Sequence, residues 1–197
     1  MESLPLASDI AQEQLRWTQE WHIADIAIPI QDSFMCLVAE NHCRNFRLWH
    51  EEDLARRDDL GAEPVRAAKR AIDRYNQQRN DFIEQMDKAL VLALCPPEQG
   101  LPFNSETPGM MTDRLSILAL KEYHMLEQAD RLDASPEHRK NCRAKLDVIR
   151  RQRADLSDCL QSLLNEVKAG TRSFRVYFQF KMYNDPSLNP QLYAGRK

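Results

Sequence analysis

Apolar residues recur along most of this chain at intervals of three and four, the spacing of one face of an α-helix. The first such stretch runs from Ile10 to His22 behind a Ser8-Asp9 cap. After Pro29, Asp32-Ser33 caps a long helix reaching about Asp59, with Phe34, Leu37, Val38, Phe46, Leu48, Trp49 and Leu54 at helical intervals. Gly61 and Pro64 punctuate the next boundary. Val65, Ala68, Ile72, Tyr75, Phe82, Met86 and Leu90 then mark a helix from Pro64 to about Leu94. Thr107-Pro108 opens a further helix to about Leu132, lined by Leu115, Leu118, Met125 and Leu132. Ser135-Pro136 opens the last, over Glu137 to Ala169, and Gly170 stops it. The longest interior connection is Cys95 to Thr107, with three prolines and one glycine; loops of that length in compact domains are often functional.

The period changes at the C-terminus. Phe174, Val176, Phe178 and Phe180 alternate with Arg175, Tyr177, Gln179 and Lys181, which predicts an extended segment with one buried face. With no other strand predicted, it is expected to lie across the helices without a sheet partner. The pattern therefore predicts an all-α fold: an antiparallel bundle of four long helices, a short N-terminal helix and an extended aromatic C-terminal tail. It forms a single domain over residues 1–197, divided into an N-terminal helix and linker (1–30), the bundle (31–169) and the tail packed on it (170–197).

Composition narrows the classes. A 197-residue chain with 43% hydrophobic and 29% charged residues suits one globular domain. A net charge of −3 gives no basic excess for nucleic acid, and the cations of the last helix, including Arg139, Arg143, Arg150, Arg151 and Arg153, read as a solvated face. Five glycines argue against a phosphate loop. The absence of a signal-like N-terminus and of any long apolar run leads to the expectation of a cytoplasmic protein without a membrane span. Cys36, Cys43, Cys95, Cys142 and Cys159 lack metal spacing and read mostly as small core residues with reduced thiols.

The anomaly lies in three polar stripes. Asn41, Asn45, Trp49, Glu52, Asp53 and Arg56 share one helical face where leucines would ordinarily sit. Asp73, Asn76, Asn80, Glu84 and Asp87 make a second stripe, with Arg79 beside it. Asp113 and His124 make a third, with Arg114 and Lys121 alongside. One reading is a pocket where these stripes meet. There Arg56, Arg79, Arg114 and Lys121 hold an anion such as a phosphate. Glu52, Asp53, Glu84 and Asp113 act as ligands of a divalent metal or as a general base, and His50 and His124 as acid or base. Thr107 and Gly109, opening a helix, offer an N-terminus to an anionic ligand, Gly109 allowing close backbone approach. The loop at 95–107 would cover the opening. The competing reading is a plain cap, solvated acids and a salt-bridge network with no ligand. The signatures of zinc proteases, di-iron bundles, nucleotide loops and serine hydrolases are absent.

The stretches NFRLWHEEDLAR, AIDRYNQQRNDFIEQMD, ETPGMMTDRLSILALKEYHM and FQFKMYNDPSLNP together resemble the bacterial family called domain of unknown function 4254, over roughly residues 30 to 192. Asn45, Trp49, His50, Glu52, Asp53 and Arg56 match its first motif. Asp73, Asn76, Gln77, Arg79, Asn80, Asp81 and Glu84 match its second, and Glu106, Thr107, Pro108, Gly109, Asp113, Arg114, Lys121 and His124 its third. Thr112 stands where a larger apolar residue is expected and Tyr75 where a leucine is. The resemblance brings no established activity. It implies the setting of lipopolysaccharide and other surface-glycan genes, hence a phosphorylated or nucleotide-linked sugar as ligand. It leaves open whether the chain is an enzyme. The alternative is a non-catalytic, oligomeric adaptor acting through its helical surface and through Phe174, Tyr177, Phe178 and Phe180.

Overall fold

The computed structural model describes residues 4–28, 33–97, 100–178 and 186–194. Five helices form the bundle: α1 (Ala7–Trp21), α2 (Phe34–Leu54), α3 (Ala62–Leu94), α4 (Pro108–Asp130) and α5 (Pro136–Lys168); a single turn, α6 (Pro190–Tyr193), follows near the C-terminus. The long helices pair as two antiparallel hairpins, α2 with α3 and α4 with α5, and α1 packs mainly on α4 and α5. The helix starts follow the capping signals. Ser33, Thr107 and Ser135 each accept from the backbone N–H three residues on, and proline occupies the first turn of α4 and α5. Gly170, at φ 68°, ends α5.

Several expectations are corrected. Helix α1 begins at Ala7 behind Leu6, without a side-chain cap, so Ser8-Asp9 lies inside it. Helix α2 ends at Leu54, and a short 3-10 turn (Asp58–Leu60) takes up the rest of the predicted helix. Leu132 lies beyond α4 and is exposed. The tail has a sheet partner after all: β2 (Ser173–Phe174) pairs in parallel with β1 (Phe103–Asn104), contributed by the proline-rich loop. Phe174 is buried, whereas Tyr177 and Phe178 are exposed; Phe180 lies outside the described residues. Cys43 and Cys142 are buried, but Cys95 and Cys159 are exposed.

Arg150 and Arg153 are not merely solvated. Their Nε atoms lie 2.9 and 2.8 Å from the two carboxylate oxygens of buried Glu122, and Arg153 also donates to the Ala11 carbonyl at 3.0 Å. This set ties α5 to α4 and α1, and a buried carboxylate with two guanidinium partners is the arrangement in which burial is tolerated.

Two apolar clusters flank the polar stripes. One joins Ala11, Leu90, Met111, Leu115, Leu160, Leu163 and Phe174. The other joins Trp17, Trp21, Val38, Phe46, Ile83, Met86 and Leu120. Where α3 meets the start of α4, the buried Asp87 carboxylate accepts from Thr107 Oγ1 at 2.5 Å and from the Gly109 N–H at 2.7 Å. Burial pushes the Asp87 carboxyl up to about 6 against the pull of these two donors. The contact requires a glycine: a Cβ on residue 109 would stand 2.7 Å from both Asp87 Oδ1 and the Ile83 carbonyl oxygen. One of those neighbours is backbone, so the clash cannot be relieved by a side-chain rotation. Gly109→Ala is expected to destabilise the fold by about 3 kcal/mol, the upper part of the usual cost of overpacking, read as a lower urea midpoint; an unchanged midpoint would show that α4 can shift freely on α3.

Candidate functional site

The polar stripe of α2 grades from core to surface. Asn41 and Asn45 are buried, Trp49 and Glu52 half-buried, Asp53 and Arg56 exposed. Its buried end meets Asp113 of α4. Asp113 Oδ1 accepts from Asn41 Nδ2 at 3.0 Å and from Asn45 Nδ2 at 2.9 Å, and Arg79 Nε of α3 lies 3.5 Å away. Asn41 also reaches the Arg79 carbonyl at 3.4 Å. Asp113 thus joins three helices through its contacts with amides and a guanidinium.

The network continues to α1 in one direction only. The Thr18 hydroxyl donates to the Gln14 carbonyl at 2.8 Å, so it can only accept from His42 Nε2, 3.0 Å away. That fixes the proton of neutral His42 on Nε2 and leaves Nδ1 to accept from Ser116 Oγ at 2.7 Å. Ser116 in turn accepts from Asn45 at 3.0 Å. Desolvation of the fully buried ring pushes the His42 pKa down to about 3.

The outer end of the stripe lines a cavity of about 340 Å³ between α2, α3 and α4, bounded by Asn45, Trp49, Glu52, Asp53, Arg56, Asn76 and Arg79 with Leu48, Ile117 and Leu120. Seven of the predicted site residues meet here. Exposed Arg56 pairs with half-buried Glu52 at 2.6 Å in contact with solvent, so the pair itself adds little stability. Arg79 is half-buried, and its Nε makes no hydrogen bond of good geometry despite its proximity to Asp113.

The other predicted residues are placed elsewhere. Arg114 and Lys121 line a separate cavity of about 710 Å³ between α4 and α5, with Asn104, Glu106, Gln152, Asp155 and Cys159; there Arg114 Nη1 bonds both Glu106 oxygens at 2.8 Å. Thr107 and Gly109 hold the chain's own Asp87, which supplies from within the anion that the α4 N-terminus was expected to take from a ligand. Glu84 and Asn80 are half-buried on α3, outside the lining of either cavity. None of the described residues of the loop at 95–107 lines the first cavity; its Asn104 and Glu106 line the second, and Pro96 and Gly100 a third, beside Phe174 and Val176.

His50 and His124 meet at the edge of the first cavity with a third ring that spacing along the chain did not single out, His22, just past the end of α1. His22 lies against Tyr123 (centroids 4.0 Å apart), and His124 stacks on Trp49 at 4.6 Å. His22 Nδ1 donates to the Thr18 carbonyl at 2.6 Å, and His124 Nδ1 donates to Glu127 Oε2 at 2.8 Å. Desolvation lowers the pKa of His50 and of His124; His22 lowers both further and His124 also lowers that of His50, while Glu127 and Asp53 pull the opposite way at each. Among the described residues this trio is the group of His, Cys, Asp or Glu side chains close enough to share one ion; Glu84 and Asp113 do not join such a group.

Thr18, His22, His42, Asp87 and Ser116 carry much of this arrangement without having been named as site residues. His22 and Thr18 stand four apart, a spacing that allows the ring to reach back to the carbonyl, but their partners on α2 and α4 are remote in sequence.

The family model described as "Protein of unknown function (DUF4254)" matches residues 35–176, well over half of the chain, and the chain belongs to that family. The matched span covers α2 to β2 and leaves α1 outside it. No curated protein matches the chain, and no solved structure does.

The neutral, buried His42 has a consequence for acid stability. An unfolded histidine titrates near 6.5 and His42 near 3, so between those values the unfolded chain binds a proton that the folded chain refuses. Stability is full above pH 6.5 and falls as the pH drops toward 3, at up to about 1.4 kcal/mol per pH unit from this group. Asp87 acts in the opposite sense between about pH 4 and 6, since its raised pKa favours the folded, protonated form. Chemical denaturation from pH 8 to 4 is expected to show a net loss whose slope flattens in His42→Gln. An identical slope in that variant would show that His42 is not responsible.

Proposed function

We propose that this member of the DUF4254 family uses the cavity between α2, α3 and α4 to bind a phosphorylated or nucleotide-linked sugar, in the context of surface-polysaccharide metabolism. The observation that carries the reading is the composition of one wall set. Two guanidinium groups, Arg56 and Arg79, face a cavity that also offers an indole, two amides and two carboxylates. Guanidinium groups suit phosphate oxygens, and amides and carboxylates suit the hydroxyls of a sugar. A volume of about 340 Å³ lies within the range of small-molecule sites. Arg79 brings a second feature: its Nε side lies 3.5 Å from Asp113 while the residue also lines the cavity, which holds the guanidinium in place beside a ligand.

The reading covers binding and leaves the reaction open. His50 and His124 stand beside the cavity through Trp49, with lowered pKa values that keep them neutral and basic near pH 7. A second reading, a non-catalytic adaptor that assembles with itself or another chain, has its own observation: Leu92, Phe103, Tyr177 and Phe178 are all large, apolar and about half exposed or more.

The test is a thermal-shift series with glucose 1-phosphate, a uridine-diphosphate sugar and inorganic phosphate. The expected result is a concentration-dependent rise in melting temperature with a phosphorylated sugar. Arg56→Ala should weaken it about tenfold or more, the size of a lost charge-assisted hydrogen bond, while Arg114→Ala, in the other cavity, should leave it unchanged. No shift at millimolar ligand, together with a sedimentation coefficient that falls in Phe178→Ala, would replace this reading with the adaptor.

A further inference from the structure

The three histidines beside the cavity come from three different helices or helix ends: His22 from the end of α1, His50 from α2 and His124 from α4. One nitrogen of each lies within 4.8 Å of one nitrogen of each of the others. In two of the rings the hydrogen bonding decides which nitrogen is free. A carbonyl and a carboxylate can only accept, so Nδ1 of His22 and Nδ1 of His124 carry the protons. Their Nε2 atoms are then lone pairs, and both are buried without a hydrogen-bond partner. Buried polar atoms without partners are uncommon, and each calls for a physical reason. Two imidazole lone pairs left open in one cluster have a ready one.

We propose that His22, His50 and His124 form a binding site for a divalent transition-metal ion of the zinc type. The donor set is three imidazoles, which suits zinc and its neighbours rather than magnesium or calcium, whose ligands are oxygens. The outer contacts are those of ligating histidines. Ligands of this kind usually give their second N–H to a carboxylate or a backbone carbonyl, which fixes the tautomer and orients the ring; Glu127 and the Thr18 carbonyl occupy those positions. The rings are further held by Tyr123 against His22, Trp49 against His124 and Phe46 edge-on to both His22 and His50. Zinc–nitrogen bonds of about 2.0–2.1 Å bring neighbouring ligand nitrogens to about 3.4 Å in a tetrahedron, so modest side-chain rotations would close the cluster around an ion. Three protein ligands leave the fourth position of a tetrahedral ion for water or a ligand atom. Asp53, which lines the neighbouring cavity and acts electrostatically on His50 and His124, supplies a nearby negative charge.

The site stands on the rings and their hydrogen bonds alone, so its failure would leave the sugar-phosphate reading untouched. The test is a zinc titration of the full chain, stripped of metal with a chelator, in competition with a chromophoric chelator, followed by cobalt(II) absorption. The expected result is one ion per chain and a visible cobalt band of tetrahedral intensity. His22→Gln, His50→Gln and His124→Gln should each weaken binding about 100-fold or more. Glu127→Gln should weaken it about 10- to 100-fold, the usual effect of removing such an outer contact, with the melting temperature of the metal-free protein unchanged. Because the Glu127 side chain is half exposed, that variant decides the case even where a histidine variant does not fold. Zinc binding that survives the triple histidine variant, that falls instead when Cys95 and Cys159 are replaced, or that is untouched by Glu127→Gln would overturn the proposal. So would a wild-type chain that retains no zinc against the chelator.

Discussion

The fold turns on a carboxylate that the bundle has buried. Asp113 is almost fully enclosed, and a desolvated charge is tolerated only where donors surround it. Asn41 and Asn45 from α2 donate to it and the Arg79 guanidinium of α3 stands 3.5 Å away as its counter-charge, so the register of three helices is set around one carboxylate. An apolar seam of the same length would tolerate a slide of a turn with modest repacking. A hydrogen-bonded one would leave buried groups open at every other register, which costs far more than the bonds gain in the right one. The extension through Ser116, His42 and Thr18 brings α1 under the same constraint, with each proton committed to one direction.

This arrangement explains how a cavity can persist beside a packed core. The amide N–H groups of the inner third of the α2 stripe, Asn41 and Asn45, hold the helices; Asn45 and the outer part, from Trp49 to Arg56, line the cavity. The same polar face therefore does two things at different depths, and Arg79 sits at the junction, contacting Asp113 and lining the cavity. One turn earlier on α4, Asp87 and Gly109 perform the equivalent fixing task against α3. The His22, His50 and His124 cluster lies on the cavity's flank, where aromatic packing, with the Thr18 carbonyl under His22 and Glu127 beside His124, positions the rings.

The helical architecture was legible because period, caps and prolines agreed: Ser33, Thr107-Pro108 and Ser135-Pro136 all mark helix starts. The polar character of the α2 face was legible too, since Asn41 and Asn45, both buried, occupy positions a core would give to leucine, although the outer ends of the stripes, Asp53, Arg56 and Asp73, are exposed. Its consequence was not. Spacing along a helix reports a shared face but not which face of which neighbour it meets, so residues on both sides of α4 were gathered into one pocket. Arg114 and Lys121 point away from Arg79, toward α5. Gly109 announced a close approach, but only the fold identifies the approaching group as Asp87. Thr112, out of place as a polar residue, is satisfied by the Pro108 carbonyl, while its own carbonyl accepts from Gln14 of α1. The pairing of β1 with β2 and the approach of His22 to α4 are contacts between remote segments, which no local pattern encodes.

The central claim is that Asp113 and the asparagines act as one interlocked unit, and a double-mutant cycle tests it most directly. Urea denaturation of wild type, Asn45→Ala, Asp113→Ala and the double variant gives the coupling free energy between the two side chains. The account predicts a coupling of about 1–3 kcal/mol, because removing either partner leaves the other buried and incompletely satisfied. Additive losses, with a coupling indistinguishable from zero, would contradict it and reduce the polar layer to independent contacts.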